Sequence, residues 1–344
     1  MTKTLTRPQA LVDAGLVPAS AIADMTAISA HYAIAITPEI AALIDPTDPT
    51  DPIAAQFVPR LAELTSLPEE DPDPISDAAF TPIKGLVHRY PDRVLLKVVS
   101  VCPVYCRFCF RREMVGPGGE GLTAADLDAV IAYIAERPAI FEVIMTGGDP
   151  FMLSARRVSD LTQRLAAIPH VKILRWHTRV PMVDSARITP DFVAALRANG
   201  VATWVAIHAN HPREFTPAAC SALALLADAG IALVSQSVLL KGVNNTLETL
   251  SALMCAFLIN RVKPYYLHHP DLAPGTSHFR GSITEGQNLM RDLRLSVSGL
   301  AQPSYVLDVP GGALKAPLTG DYLQTGEGGI RVLSGDGTWL DYKG

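Results

Sequence analysis

With 344 residues, 49% of them hydrophobic and 18% charged, the chain can bury a sizeable core, and one large domain with a smaller segment is expected. A net charge of −5 with no basic run argues against nucleic acid as a partner. No run of about 20 uninterrupted apolar residues exists, which argues against a membrane span. MTKTLTRPQALVDAG lacks the apolar core and cleavage site of a secretory signal, and three clustered cysteines suit a reducing compartment, so a cytoplasmic protein is expected.

Residues 1–85 are rich in Ala and Pro, with short helical patterns in ALVDAGLV and PEIAALID. DPTDPTDP and LPEEDPDPISD break any helix, because each proline restricts the residue before it. This N-terminal segment reads as a helical collar packed on the main domain or on another subunit. Its own chemistry suggests no function.

From residue 93 a period sets in. RVLLKVVSV, EVIMTGGD, VKILRWHT, ATWVAIHAN, ALVSQSVLL and VKPYYLHH have the length and composition of buried strands. Helical patterns lie between them. The first carries Thr123 and Asp126 as a capping signal, and two end at Gly200 and Gly230. Six strand–helix units in a row predict a parallel sheet with right-handed crossovers. Six rather than eight predicts an α/β fold with a partial (β/α)6 barrel over residues 86–300, followed by a C-terminal segment, 301–344.

In such barrels the working residues sit after the strands. Polar residues do gather there: the cysteines after the first strand, Gly147, Gly148 and Asp149 after the second, His177 to Arg179 after the third, and His208, Asn210 and His211 after the fourth. Gln236 lies in the fifth, and His268, His269 and Asp271 follow the sixth.

The cysteines are Cys102, Cys106 and Cys109, in VCPVYCRFCFRR. Three local thiolates can hold three irons of a cubane cluster and leave the fourth open to a substrate, and ligand type and spacing favour iron–sulfur over zinc. Cys220 and Cys255 lie in amphipathic helical patterns and read as small core hydrophobes. Paired glycines at Gly147 and Gly148 let a ligand approach the chain closely, although a tight turn reads the same way. Lys315, in PGGALK, reads by itself as a solvated turn lysine. Arg89 and Arg93, in HRYPDR, suit a phosphate or a surface turn equally.

C-x3-C-x2-C is the signature of the radical S-adenosylmethionine enzymes, and CPVYCRFCFRR resembles the lysine 2,3-aminomutase family in particular. HYAIAITPEIAALIDPTDPTDPIAAQFVP, HRYPDR, YVLDVPGG and KAPL are similar to the same family, so the likeness covers roughly residues 30–320. The resemblance implies the partial barrel, a 4Fe-4S cluster on Cys102, Cys106 and Cys109, and S-adenosylmethionine chelating the open iron. It implies that Gly147, Gly148 and Asp149 contact the methionyl amino group, and that His208 and Gln236 line the nucleoside side. It implies pyridoxal 5′-phosphate carried by Lys315 as the catalytic lysine, with Arg89, Tyr90 and Arg93 toward its phosphate. Arg111 matches the arginine that pairs with the substrate carboxylate, and Asp271 and Asp308 match two acids that hold a lysine side-chain ammonium. The family pattern has further glycines where this chain has Ala313 and Leu314.

The reaction so implied is migration of the amino group of L-lysine from C2 to C3, giving β-lysine, with an electron donor such as flavodoxin or ferredoxin and a homo-oligomeric enzyme. Other expectations are a branch that makes β-lysine for modification of elongation factor P, or another substrate: arginine, ornithine or glutamate. Relatives of the clostridial type carry a C-terminal zinc-binding extension; this chain ends at DYKG without further cysteines, and no such zinc is expected.

Overall fold

All six expected strands form, for a reason visible in how their side chains divide. Along β2 (Arg93–Val99), buried and half-buried residues alternate: Val94, Leu96 and Val98 face the helices and Lys97 faces the other way. In β4 (Ile173–Thr178) the fully buried Trp176 packs against Phe151, which in turn meets Phe192 edge-on at 4.9 Å, while Arg175 and His177 point to the opposite side. Apolar side chains thus fill the sheet–helix layer, and polar ones line the interior.

The computed structural model describes residues 3–119, 121–312, 314–320, 322–326, 329–334 and 337–342. Among these residues nine strands form one sheet in chain order: β1 (Leu86–Tyr90), β2, β3 (Glu142–Gly147), β4, β5 (Ala202–His208), β6 (Ala232–Val238), β7 (Lys263–His268), β8 (Ser304–Asp308) and β9 (Lys315–Pro317). Strands β2 to β8 run parallel, and β1 and β9 are antiparallel edges. The sheet curls into an incomplete barrel with a common interior, in which Arg111 beside β3 and Lys315 of β9 both bear electrostatically on His177 of β4.

Three strands of this sheet, β1, β8 and β9, were not expected from sequence. HRYPDR, expected to precede the first strand, is instead the corner of a hairpin in which Tyr90 pairs with Arg93. SYVLD forms a seventh parallel strand, so the sheet runs across residue 300 and carries Lys315 with it. A separate antiparallel sheet follows, β10 (Leu323–Gly326), β11 (Gly329–Leu333) and β12 (Trp339–Tyr342).

The crossover helices start where the caps put them. Thr123, Ser154, Thr189, Thr216, Thr246 and Ser282 each accept a hydrogen bond from a first-turn amide, and Thr123 with Asp126 completes a capping box. Each such cap contributes about 1 kcal/mol. No helix among the described residues is long and apolar enough to cross a membrane.

The N-terminal collar folds over the cysteine loop and is clamped there by a buried acid. Glu63 is 1% exposed and accepts from Arg107 Nε at 3.0 Å and Nη2 at 2.5 Å, from Arg112, and from the Arg60 amide at 2.8 Å. Removing one member of a buried pair strands the other charge, which costs about 3–5 kcal/mol. We therefore expect Glu63→Gln to lower the unfolding free energy by that amount in chemical denaturation; a loss below about 1 kcal/mol would contradict the clamp.

Candidate active site

Inward alternation brings Lys97, Thr146, His177, His208, Gln236, His268 and Asp308 to the carboxyl ends of successive parallel strands. Lys315 enters from the edge. Its Nζ donates to Asp308 Oδ1 at 2.5 Å and Oδ2 at 2.7 Å and lies 5.8 Å from the Tyr266 ring.

Asp308 Oδ2 also lies 3.1 Å from His268 Nδ1, and His268 Nε2 lies 3.1 Å from Gln236 Nε2. The tautomer follows from the partners. A carboxylate accepts, so Nδ1 carries the proton, and Nε2 then accepts from the Gln236 amide. Burial, then the Lys315 ammonium, keeps His268 below its usual value and so neutral. Burial works to raise Asp308, but the His268 hydrogen bond and the Lys315 charge hold it well below the carboxylate range.

Asp271, just beyond β7, behaves oppositely. Burial first, and then the Asp308 charge, raise it to about 7, against the opposing pull of Lys315, Arg111 and Arg280. Two carboxylates therefore share one part of the interior with one ammonium between them.

His177 and His208 complete the inward layer. Burial, with Arg175, Arg111 and Lys315 for His177 and with Arg179 for His208, pushes both well below the usual imidazole range. Each leaves a buried Nε2 without a hydrogen-bond partner. His208 stands edge-on to Phe108 of the cysteine loop at 5.7 Å, so it faces the sulfur side. Gln236, expected there too, has its amide bound to His268 on the lysine side.

Arg111 is 8% exposed and reaches Asp77 Oδ2 through Nε at 3.2 Å and Nη2 at 3.0 Å, and Thr146 Oγ1 through Nη1 at 3.3 Å. Asp77 also meets Arg89 at 3.4 Å and Lys97 at 3.9 Å. Arg89 further donates to the Ile75 carbonyl at 2.5 Å and packs over Phe80. The loop before Lys315 touches this cluster: at Gly312, with φ +72°, a Cβ would lie 2.8 Å from Arg89 Nε and 2.9 Å from the Ile75 carbonyl. Ala313 lies outside the described residues. Arg93, at the start of β2, stacks on Tyr90 at 3.7 Å and acts electrostatically on Tyr266, below Lys315.

The three cysteines are free thiols on one loop. Burial raises all three, Cys109 to about 11, so they are protonated until a metal displaces the protons. Each of Cys102 and Cys109 lies within electrostatic reach of Cys106, and Arg179 Nη1 sits 3.3 Å from Cys106 Sγ. No group of three His, Cys, Asp or Glu side chains among the described residues suits a single ion; a cluster instead gives each thiolate its own iron, and the donor set fits one.

The Gly147–Asp149 loop is stitched to the end of β2. A Cβ at Gly148 would lie 2.3 Å from the Val101 carbonyl, and one at Gly147, with φ +109°, 2.4 Å from that of Val99. The amides of Gly148 and Asp149 donate to those two carbonyls at 2.7 and 2.9 Å. At these glycines the closest approach is thus made by the end of β2, and the Gly148 amide is taken by it. The Asp149 carboxylate is also taken, accepting from Thr178 Oγ1 at 2.8 Å and from the amides of Phe151 at 3.0 Å and Arg179 at 2.7 Å. It positions the start of the cysteine loop and the end of β4.

Lys315, Asp308, Asp271, Gln236 and Arg111 thus surround one interior, with Arg89 beside the Gly312 loop and the cysteines and His208 on the opposite side, whereas Arg93 lies at the amino end of β2, paired with Asp92 at 2.7 Å. Sequence reasoning gave no role to Asp77, Glu63 or Gln56, which lie in the aperiodic collar, nor to His268, whose place after a strand was its one signal.

A family model described as the Radical SAM superfamily matches residues 96–253. The chain is 39% identical over 290 residues to the L-lysine 2,3-aminomutase of Clostridium subterminale, covering 84% of this chain and 70% of that one. It is 40% identical over 290 residues to the L-lysine 2,3-aminomutase of Acetoanaerobium sticklandii, with the same coverages. It is 36% identical over 296 residues to the glutamate 2,3-aminomutase of Clostridioides difficile, covering 86% and 70%. Identity of this extent, running through the cysteine loop and across the barrel, makes the chain a member of the lysine 2,3-aminomutase family of radical S-adenosylmethionine enzymes.

Proposed function

We propose that this interior catalyses 2,3-migration of the amino group of an amino acid with a cationic side chain, L-lysine first, to give β-lysine. One observation carries the substrate: Asp271 and Asp308 stand together, and an ammonium, that of Lys315, already sits on Asp308. Buried acids favour a cation opposite them. The relatives' names include a glutamate enzyme, but a second carboxylate brought to Asp271 and Asp308 would meet like charge.

Family membership implies the 4Fe-4S cluster and S-adenosylmethionine; pyridoxal 5′-phosphate on Lys315 is part of the proposal. When bound, these groups supply hydrogen-atom abstraction and a carrier for the migrating nitrogen. The chain's residues do the rest. Cys102, Cys106 and Cys109 would hold the cluster, Gly147 to Asp149 would shape its border, and His208 would line the nucleoside side. Arg111 exchanges Asp77 for the substrate carboxylate, using its planar fork. Arg89, Arg93 and Tyr90 would hold the cofactor phosphate. In the unloaded chain Asp308 holds the Lys315 ammonium; with Lys315 carrying the cofactor, Asp308 would be open to the substrate ammonium. Gln236 and His268 keep Asp308 oriented, and the collar excludes water.

The direct test is anaerobic: reconstituted protein with S-adenosylmethionine, pyridoxal 5′-phosphate, a strong reductant and L-lysine should yield β-lysine by mass spectrometry. Deoxyadenosine released with another amino acid and not with lysine would overturn the substrate. Lys315→Ala should abolish turnover and pyridoxal retention while leaving iron content intact; full activity in that variant would remove Lys315 from the chemistry. The pH profile tests Asp271. It is protonated below about 7 in the free protein, and a bound ammonium favours its ionised form, so binding releases a proton there. Affinity for L-lysine should therefore rise with pH up to that value, approaching about tenfold per unit, and flatten above it. Asp271→Asn should flatten the whole profile; an unchanged profile would contradict the assignment.

A further inference from the structure

Among the three cysteines, Cys106 accepts a hydrogen bond from a cation, whereas Cys109 feels the charges of Arg111 and Arg112 with no side-chain hydrogen bond to its sulfur among the described residues. Arg179 Nη1 donates to Cys106 Sγ at 3.3 Å. The guanidinium has no freedom to turn away. Its Nη2 donates to Gln56 Oε1 and to Glu214 Oε2, both at 2.6 Å, its backbone amide donates to Asp149, and its plane lies over Phe57 at 4.6 Å. Glu214 is itself fixed, since its other oxygen accepts the amides of Asn210 at 2.8 Å and His211 at 2.9 Å and the Gln56 side chain at 3.3 Å. Gln56 and Glu214 are fully buried and Arg179 is 5% exposed. No surface role explains so much buried polarity around one sulfur.

We propose that Arg179 is a positioning residue that raises the reduction potential of the cluster on Cys102, Cys106 and Cys109, with Gln56 and Glu214 fixing its aim. The proposal rests on the reading that those cysteines carry the cluster. A one-electron reduction adds negative charge that spreads onto the thiolate sulfurs. A cation hydrogen-bonded to one of them therefore stabilises the reduced state more than the oxidised state. Glu214 partly offsets that charge but faces away from the sulfur, so the donor end of the pair dominates at Cys106. Gln56 ties this arrangement to the collar, so the N-terminal segment takes part in setting how readily the cluster accepts an electron.

The test is a potentiometric titration of the anaerobically reconstituted full chain, followed by the electron paramagnetic resonance signal of the reduced cluster. Arg179→Met combined with Glu214→Gln avoids stranding a buried carboxylate. At a fixed applied potential it should lower the reduced-to-oxidised ratio at least tenfold, which is about 59 mV for a one-electron couple. Glu214→Gln alone leaves Arg179 uncompensated and should shift the potential upward. Arg179→Lys keeps the charge and should fall between the wild type and the double variant. These opposite signs are not what a packing role would give. A double variant with an intact cluster and an unchanged potential would overturn the proposal. So would loss of the cluster in both the double variant and Arg179→Lys, which would make Arg179 an assembly residue. A wild-type chain that takes up no iron would instead bring down the reading of the cysteines, and this proposal with it.

Discussion

A carboxylate taken from water into the barrel needs a cation, and Asp308 takes Lys315, at 2.5 and 2.7 Å. Much of the site follows from that pair. It fixes where β9 lies against β8, since Asp308 and Lys315 are also register partners across the sheet. It sets the proton on His268, and through it the orientation of Gln236. It leaves Asp271 without a cation of its own to offset burial and the Asp308 charge, which raise that carboxyl to about 7. In the proposed reaction the same carboxylate serves two ammoniums: that of Lys315 in the unloaded chain, and that of the substrate once Lys315 carries the cofactor.

The same logic repeats at each contact between collar and barrel. Asp77 faces Arg89, Lys97 and Arg111; Glu63 faces Arg107 and Arg112; Gln56 joins Glu214 and Arg179. Residues 56–77 thus supply acceptors to cations of the barrel and the cysteine loop. The collar thereby touches the candidate site: it occupies Arg111, the residue proposed to take a substrate carboxylate.

How much of this was legible in the sequence follows the range of the interaction. The six parallel strands were legible because each is a contiguous apolar run between capped helices. The cysteine loop was legible because its three ligands fall within eight residues. β8 was missed because SYVLD is short and runs straight into the glycine pair, and β1 because HRYPDR looks like a turn from either side. Asp77 was invisible: its partners lie 12 to 34 residues away, and nothing local separates it from the other acids of LPEEDPDPISD. Gly147 and Gly148 were singled out for ligand approach, whereas the chain they admit most closely is the end of β2. Lys315 had no local signal beyond the resemblance, and its role becomes physical once Asp308 is placed against it.

The measurement that bears most directly on the carboxylate pair compares L-lysine with L-norleucine, which keeps the chain length and lacks the ammonium, as substrates of the reconstituted enzyme. Norleucine would bring no cation to Asp271 and Asp308, and a site built around buried polar groups rejects the analogue lacking their partner by roughly 10⁴-fold or more. We predict a loss of that order in kcat/KM. Norleucine turned over within tenfold of lysine would contradict the account, because the two carboxylates would then not be recognising the side chain.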